Sequence, residues 1–176
     1  THSDNIYIAS SVGTSHGVDV RFARSTDGGL TWDRWIQLND DQPPDWGYHW
    51  FATMSVAPNG RIDVIWNDTR NFPSNGYISE LFYSSSSDGG LTWSPNEQLS
   101  PAWDSSVGWP QQYKIGDYYH MVSDDLGANL TYAATFNGEQ DVWFLRIGDY
   151  PCLGLITSQP ASPSVCQGSS VSLRAA

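Results

Sequence analysis

Lysine is almost missing from this chain. Lys114 is the only one among 176 residues, and seven arginines carry the remaining basic charge against 19 acidic residues. The formal net charge of −11 excludes a surface built to neutralise a nucleic-acid backbone and disfavours docking on anionic lipid. Glutamate is scarce as well, with only Glu80, Glu97 and Glu139. No apolar run approaches the roughly 18 residues of a membrane-spanning helix, so no membrane insertion is expected. No stretch keeps an apolar helical period. The four histidines, His2, His16, His49 and His120, show no metal-ligand spacing. Phosphate loops, zinc patterns and nucleophile elbows are missing too, so neither a metal nor a cofactor is expected. Only two cysteines occur, Cys152 and Cys166. They either pair, closing a short loop worth about 3 kcal/mol, or Cys166 belongs to a following module, or both are free thiols.

What the chain has in plenty is tryptophan (nine), tyrosine (nine), glycine and proline. Aromatic and β-branched residues between Gly/Asn/Asp turns predict an all-β fold. An acidic, aromatic-rich chain suits a secreted or cell-surface protein that handles neutral or weakly charged ligands. Carbohydrate is one such ligand, since Trp and Tyr faces match sugar rings.

The chain also repeats itself. "RSTDGGLTW" runs from Arg24 to Trp32, and "SSDGGLTW" runs from Ser86 to Trp93. The similarity extends over Asp19 to Leu38 and Ser79 to Leu99, each reading strand, turn, strand. Before the second copy, Asn59-Gly60 predicts a type I′ hairpin turn. One unit then holds four strands, at about 51–57, 61–67, 78–85 and 94–99. "NIYIASSV" before the first copy reads as the second strand of a unit that lacks its first. A third unit without the repeated turn is expected over about 109–147. Its strands are "QQYKIGD", "YYHMVSD", "NLTYAATF" and "QDVWFLRI". Four strands per unit at this period predict propeller blades, at about 5–40, 50–100 and 108–148. Residues 1–150 form the propeller part, and 151–176 read as a linker and the start of a further β module.

Both turns fit Ser-x-Asp-x-Gly-x-Thr-Trp: Ser25, Asp27, Gly29, Thr31 and Trp32, then Ser86, Asp88, Gly90, Thr92 and Trp93. Ser and Asp side chains bond nearby backbone, Gly permits positive φ, and Trp buries a large face. One acidic residue per copy is too few for a calcium loop. The turns are therefore expected to hold the fold.

This pattern resembles the Asp-box, or bacterial neuraminidase repeat, of sialidase-like β-propellers, over about residues 5 to 150. The resemblance implies boxes at the outer turns of blades, on the face away from the active site. It also implies three arginines on a substrate carboxylate, a tyrosine nucleophile assisted by glutamate, and an aspartate acid/base. The family's N-terminal Arg-Ile-Pro motif is not present, and no Tyr/Glu pair matches.

Three stretches remain as site candidates. In "WNDTRN", Asp68 and Arg70 serve as acid and anion clamp, or as an ion pair that orders the loop. In "IGDYYH", Asp117 and Tyr118 are catalytic candidates, or a hairpin turn. In "PPDWGYHWF", Asp45, Trp46 and His49 line a sugar site, or belong to a packed loop between blades. Asn67-Asp68-Thr69 and Asn129-Leu130-Thr131 fit the N-glycosylation pattern. The function expected is part of a secreted sialidase-like glycoside hydrolase or glycan-recognising propeller. A non-catalytic module for adhesion or assembly is the alternative. Three blades cannot close a ring, so the expected partners are a glycan and either the other blades of a longer chain or a second copy.

Overall fold

The computed structural model describes residues 4–15, 17–41, 47–108, 114–116 and 118–148, and the backbone of 170–173. Asp45, Trp46, Asp117, Cys152 and Cys166 lie outside the described residues. The fold is all-β, with no helix among the described residues and therefore none long and apolar enough to cross a membrane. Three antiparallel sheets follow one another along the chain.

The first sheet has the order β1 (Ile6–Thr14), β2 (Gly17–Ser25), β3 (Ile36–Gln37). The second runs β4 (His49–Val56), β5 (Ile62–Asp68), β6 (Ile78–Ser86), β7 (Glu97–Gln98), with β8 (Trp103–Asp104) also paired to β6. The third runs β9 (His120–Asp124), β10 (Gly127–Ala134), β11 (Asp141–Ile147), β12 (Ser170–Leu173).

The repeat is exact at the level of register. Ile6 pairs with Ser25 and Phe22 with Ile36 in the first sheet; Ile62 pairs with Ser86 and Tyr83 with Glu97 in the second. So β1, β2 and β3 correspond to β5, β6 and β7, and the first sheet has no counterpart of β4. The correspondence continues past the outer strand. The Val20 N–H donates to Asn39 Oδ1, and the Leu81 N–H donates to Ser100 Oγ, both at 2.9 Å.

Strand alternation gives each sheet two faces. One face of the second sheet, with Ile62, Val64, Trp66 and Phe82, packs on Val20, Phe22 and Leu38 of the first. The other, with Ile65 and Leu81, packs on Met121, Leu130, Tyr132 and Leu145 of the third. The seven consecutive residues of β5 are all buried, because they are covered from both sides.

Three local expectations change. The Asn59-Gly60 turn is not type I′. The Gly60 N–H donates to the Ala57 carbonyl at 2.9 Å, and only Gly60 takes a positive φ, of 90°. Pro58, with φ fixed near −65°, suits the first central position of a type I turn, and Gly60 then supplies the left-handed residue. Thr135 to Gly138 repeats this geometry. In the third unit the expected first strand is not formed by the described residues 114–116, and β9 begins the sheet at His120. A two-residue turn at Asp125 and Leu126 joins β9 to β10, a tight connection without an Asn-Gly signal. Ser170–Leu173, expected to start a further module, pairs with β11 as the outer strand.

Candidate functional site

The two repeated turns sit at one end of their sheets. In both, the serine hydroxyl donates to the aspartate and accepts the N–H of the second glycine (Gly29 and Gly90). In both, the aspartate accepts the threonine N–H at 2.9 Å and the threonine hydroxyl at 2.6 Å. These bonds, led by the threonine hydroxyl, hold the carboxyls of Asp27 and Asp88 at about 2. Every ligand of each carboxylate is part of its own turn, so the turns close on themselves.

The candidates lie at the other end. Asp68 ends β5 and pairs with His49 on one side and Glu80 on the other, far along the strand from Ile62 and the box. Asp68 is fully buried. Its Oδ1 accepts the Arg70 N–H at 2.8 Å, and its Oδ2 accepts Trp66 Nε1 at 2.8 Å and Arg70 Nε at 2.9 Å. Arg70 spends its remaining donors on Asp40 (2.6 Å) and Asn96 (2.9 Å), with its guanidinium 4.2 Å above the Phe82 ring.

His49 is also inside, 1 % exposed. Its Nδ1 lies 2.6 Å from the Val18 carbonyl and must donate to it. Its Nε2 lies 3.1 Å from Asp41 and 3.3 Å from Asp68, shared between them with neither oxygen in line with the N–H. Burial alone lowers the imidazole pKa, but the hydrogen bond to Asp41 and the charges of Asp68 and Asp41 outweigh it, and the net shift is upward. Asp41 is held at about 2: burial opposes this, and His49, Asn39 and Arg70 overcome it. The result is a buried alternation of charge, Asp41, His49, Asp68, Arg70, Asp40. It joins the segment after β3 to β4 and β5 and so pins the first sheet to the second.

None of Asp40, Asp41, Asn39 or Asn96 was singled out from sequence. The signal was the alignment itself, carried past the box to Leu38-Asn39 and Leu99-Ser100. The sequon at Asn67 is closed to a glycan, because Asn67 is fully buried and donates to the Tyr119 hydroxyl at 2.9 Å. Glu80 is buried too, accepting from Asn71 and Gln98.

What the rim offers to solvent is aromatic. Tyr118 is 92 % exposed, Tyr77 52 % and Tyr48 49 %. The Tyr48 ring rests over Gly76 of the loop after β5. Nearby, Phe51 holds a positive φ of 57° at a bulge in β4 and packs edge-on against Trp50 and Tyr119. Such a backbone is uncommon for a bulky residue and costs of order 1–3 kcal/mol. Thus the structure brings Asp68, Arg70 and His49 together in the interior and leaves Tyr118 outside.

No protein-family model matches the chain, and no curated protein does. Among solved structures it is similar to a protein of unknown function from Dyadobacter fermentans, at 17% identity and a TM-score of 0.49. That match covers 82% of this chain and 34% of the other. It is also similar to the NanB sialidase from Streptococcus pneumoniae, at 15% identity and a TM-score of 0.42, covering 83% of this chain and 22% of that one. The chain therefore spans about a third or less of the structures it matches.

Proposed function

We propose that the three sheets are consecutive blades of a sialidase-like propeller, in a secreted or surface protein. In this reading the rim opposite the boxes recognises a glycan. One observation carries it: on that rim Asp68, Glu80, His49 and Arg70 are consumed by internal partners, while Tyr48, Tyr77 and Tyr118 face solvent. Exposed tyrosines give a sugar an apolar face to stack on and a hydroxyl to bond. A saturated guanidinium offers no fork to a carboxylate. The two boxes support the blade assignment by their matching place and bonding.

The test is calorimetric titration with neutral and sialylated oligosaccharides. Tyr48→Ala, Tyr77→Ala and Tyr118→Ala should each weaken binding about three- to tenfold. Unchanged affinity in all three would remove the rim as the site. A second reading, hydrolysis, is favoured by the exposure of Tyr118 beside Asp117. A fluorogenic sialoside decides it, since turnover abolished by Tyr118→Phe in a folded protein would make the chain part of a hydrolase.

A further inference from the structure

We infer that the outward face of the first sheet, with the open edge of β1, seats a further four-stranded sheet of the same repeat, supplied by the polypeptide that carries this chain. The inference stands on strand register and is independent of which ligand the rim takes.

The second sheet shows what its own equivalent face needs. Ile62 and Val64 are fully buried against the first sheet. Trp93, beside the second box, meets the Phe22 ring edge-on at 4.9 Å. By register, their counterparts in the first sheet are Ile6, Ile8 and Trp32. These are 41 %, 48 % and 42 % exposed. Trp35 and Ile36 extend the same apolar surface. An apolar face that is wholly buried in one repeat is thus uncovered in the other.

The cover can be specified from the contact already made. The first sheet presents Val20 and Phe22 on β2, and Arg24 from the same strand donates to the Gly89 carbonyl at 3.1 Å. The occupant of the open face should therefore carry an apolar residue and a ring two positions apart on its third strand. Leu81 and Tyr83 repeat the pair towards the third sheet.

The edge selects the source. β5 is hydrogen-bonded on both sides, to β4 and β6, whereas β1 pairs only with β2. β4 reaches β5 through the short Ala57–Gly60 turn, so the missing neighbour of β1 is expected to arrive through a similar turn in the same polypeptide. A second copy could offer Val142 and Phe144 of β11 to the face, but it brings no strand joined to β1 by a hairpin.

The experiment compares this chain with the parent polypeptide extended by one repeat on the N-terminal side. It uses hydrogen exchange of β1 amides and the melting temperature of Ile8→Asp. In this chain alone, alternate β1 amides should exchange fast and Ile8→Asp should leave the melting temperature unchanged. In the longer polypeptide the fast exchange should be lost and Ile8→Asp should lower the melting temperature. Fast β1 exchange with an indifferent Ile8→Asp in the longer polypeptide would overturn the inference, as would a parent with no such residues. Concentration-dependent mass with β1 protection in this chain alone would make the occupant a second copy and overturn it equally. Glycan titration reads the opposite rim, so the two proposals fail separately.

Discussion

At His49 both ring nitrogens face acceptors, so the imidazole is held as the doubly protonated cation. The acids that face it are Asp41 and Asp68, with Arg70 behind them. Its folded pKa is raised, so its contribution is complete below the unfolded value near 6.5 and is lost as pH rises through the folded one. Asp41 works in the other direction. Held at about 2, it contributes above its unfolded value near 3.9 and loses that contribution as pH falls. Urea unfolding of His49→Gln should therefore lack the alkaline decline of the parent between about pH 6.5 and 9; an identical decline would mean that the imidazole is neutral. Asp68→Asn should cost about 3–5 kcal/mol, because it leaves buried cationic partners uncompensated. A loss below about 1 kcal/mol would show that the network carries little. The sequence placed Asp68 and Arg70 correctly at a strand end, since strand patterning is local. It could not show them buried, because burial depends on Asp40, Asp41 and Asn96, which reach the site through pairing between sheets.

The boxes show the scale of one element, and here the sequence was read almost completely. Their bonds span five residues or fewer, so residue types alone specify them. What sequence could not show is that the two boxes differ in what they touch. A Cβ on Gly90 would lie 2.4 Å from the Phe22 ring, whereas one on Gly29 would lie 3.4 Å from the nearest atom, the tip of Ile6. Both glycines have φ near +90°. Gly29→Ala should cost about 1–2 kcal/mol from the left-handed backbone alone. Gly90→Ala should cost about 1–3 kcal/mol more, because Phe22 is a packed core ring that cannot give way cheaply. Urea midpoints of the two variants check this, and equal losses would mean that the second box does not dock as described. The third sheet was harder to read for a related reason. Its Asp124–Gly127 turn has no Asn-Gly dipeptide, and β12 joins β11 from more than twenty residues away. Local chemistry signals neither connection.

Charge is a property of the whole molecule, and its distribution bears on which sugar the rim accepts. The net charge is −11, yet the described arginines are largely spent inside: Arg24 on Asp33, Arg61 on Asp63, Arg70 on Asp68 and Asp40, and Arg146 on Asp124. The long-range field at the surface is therefore negative, and pairing leaves little cationic surface to reverse it locally. A neutral oligosaccharide stacked on tyrosine does not sense this field. A sialylated one carries a carboxylate and is repelled, most strongly at low salt, where the screening length is about 30 Å at 0.01 M against about 8 Å at 0.15 M. Raising salt across that range should leave the affinity for a neutral oligosaccharide unchanged and strengthen that for its sialylated counterpart. The opposite slope, sialoside binding that weakens as salt rises, would require an open cationic site for the carboxylate. That outcome would return the arginine-clamp reading to the rim, and the same titrations carried out on Arg70→Lys would show whether Arg70 forms it.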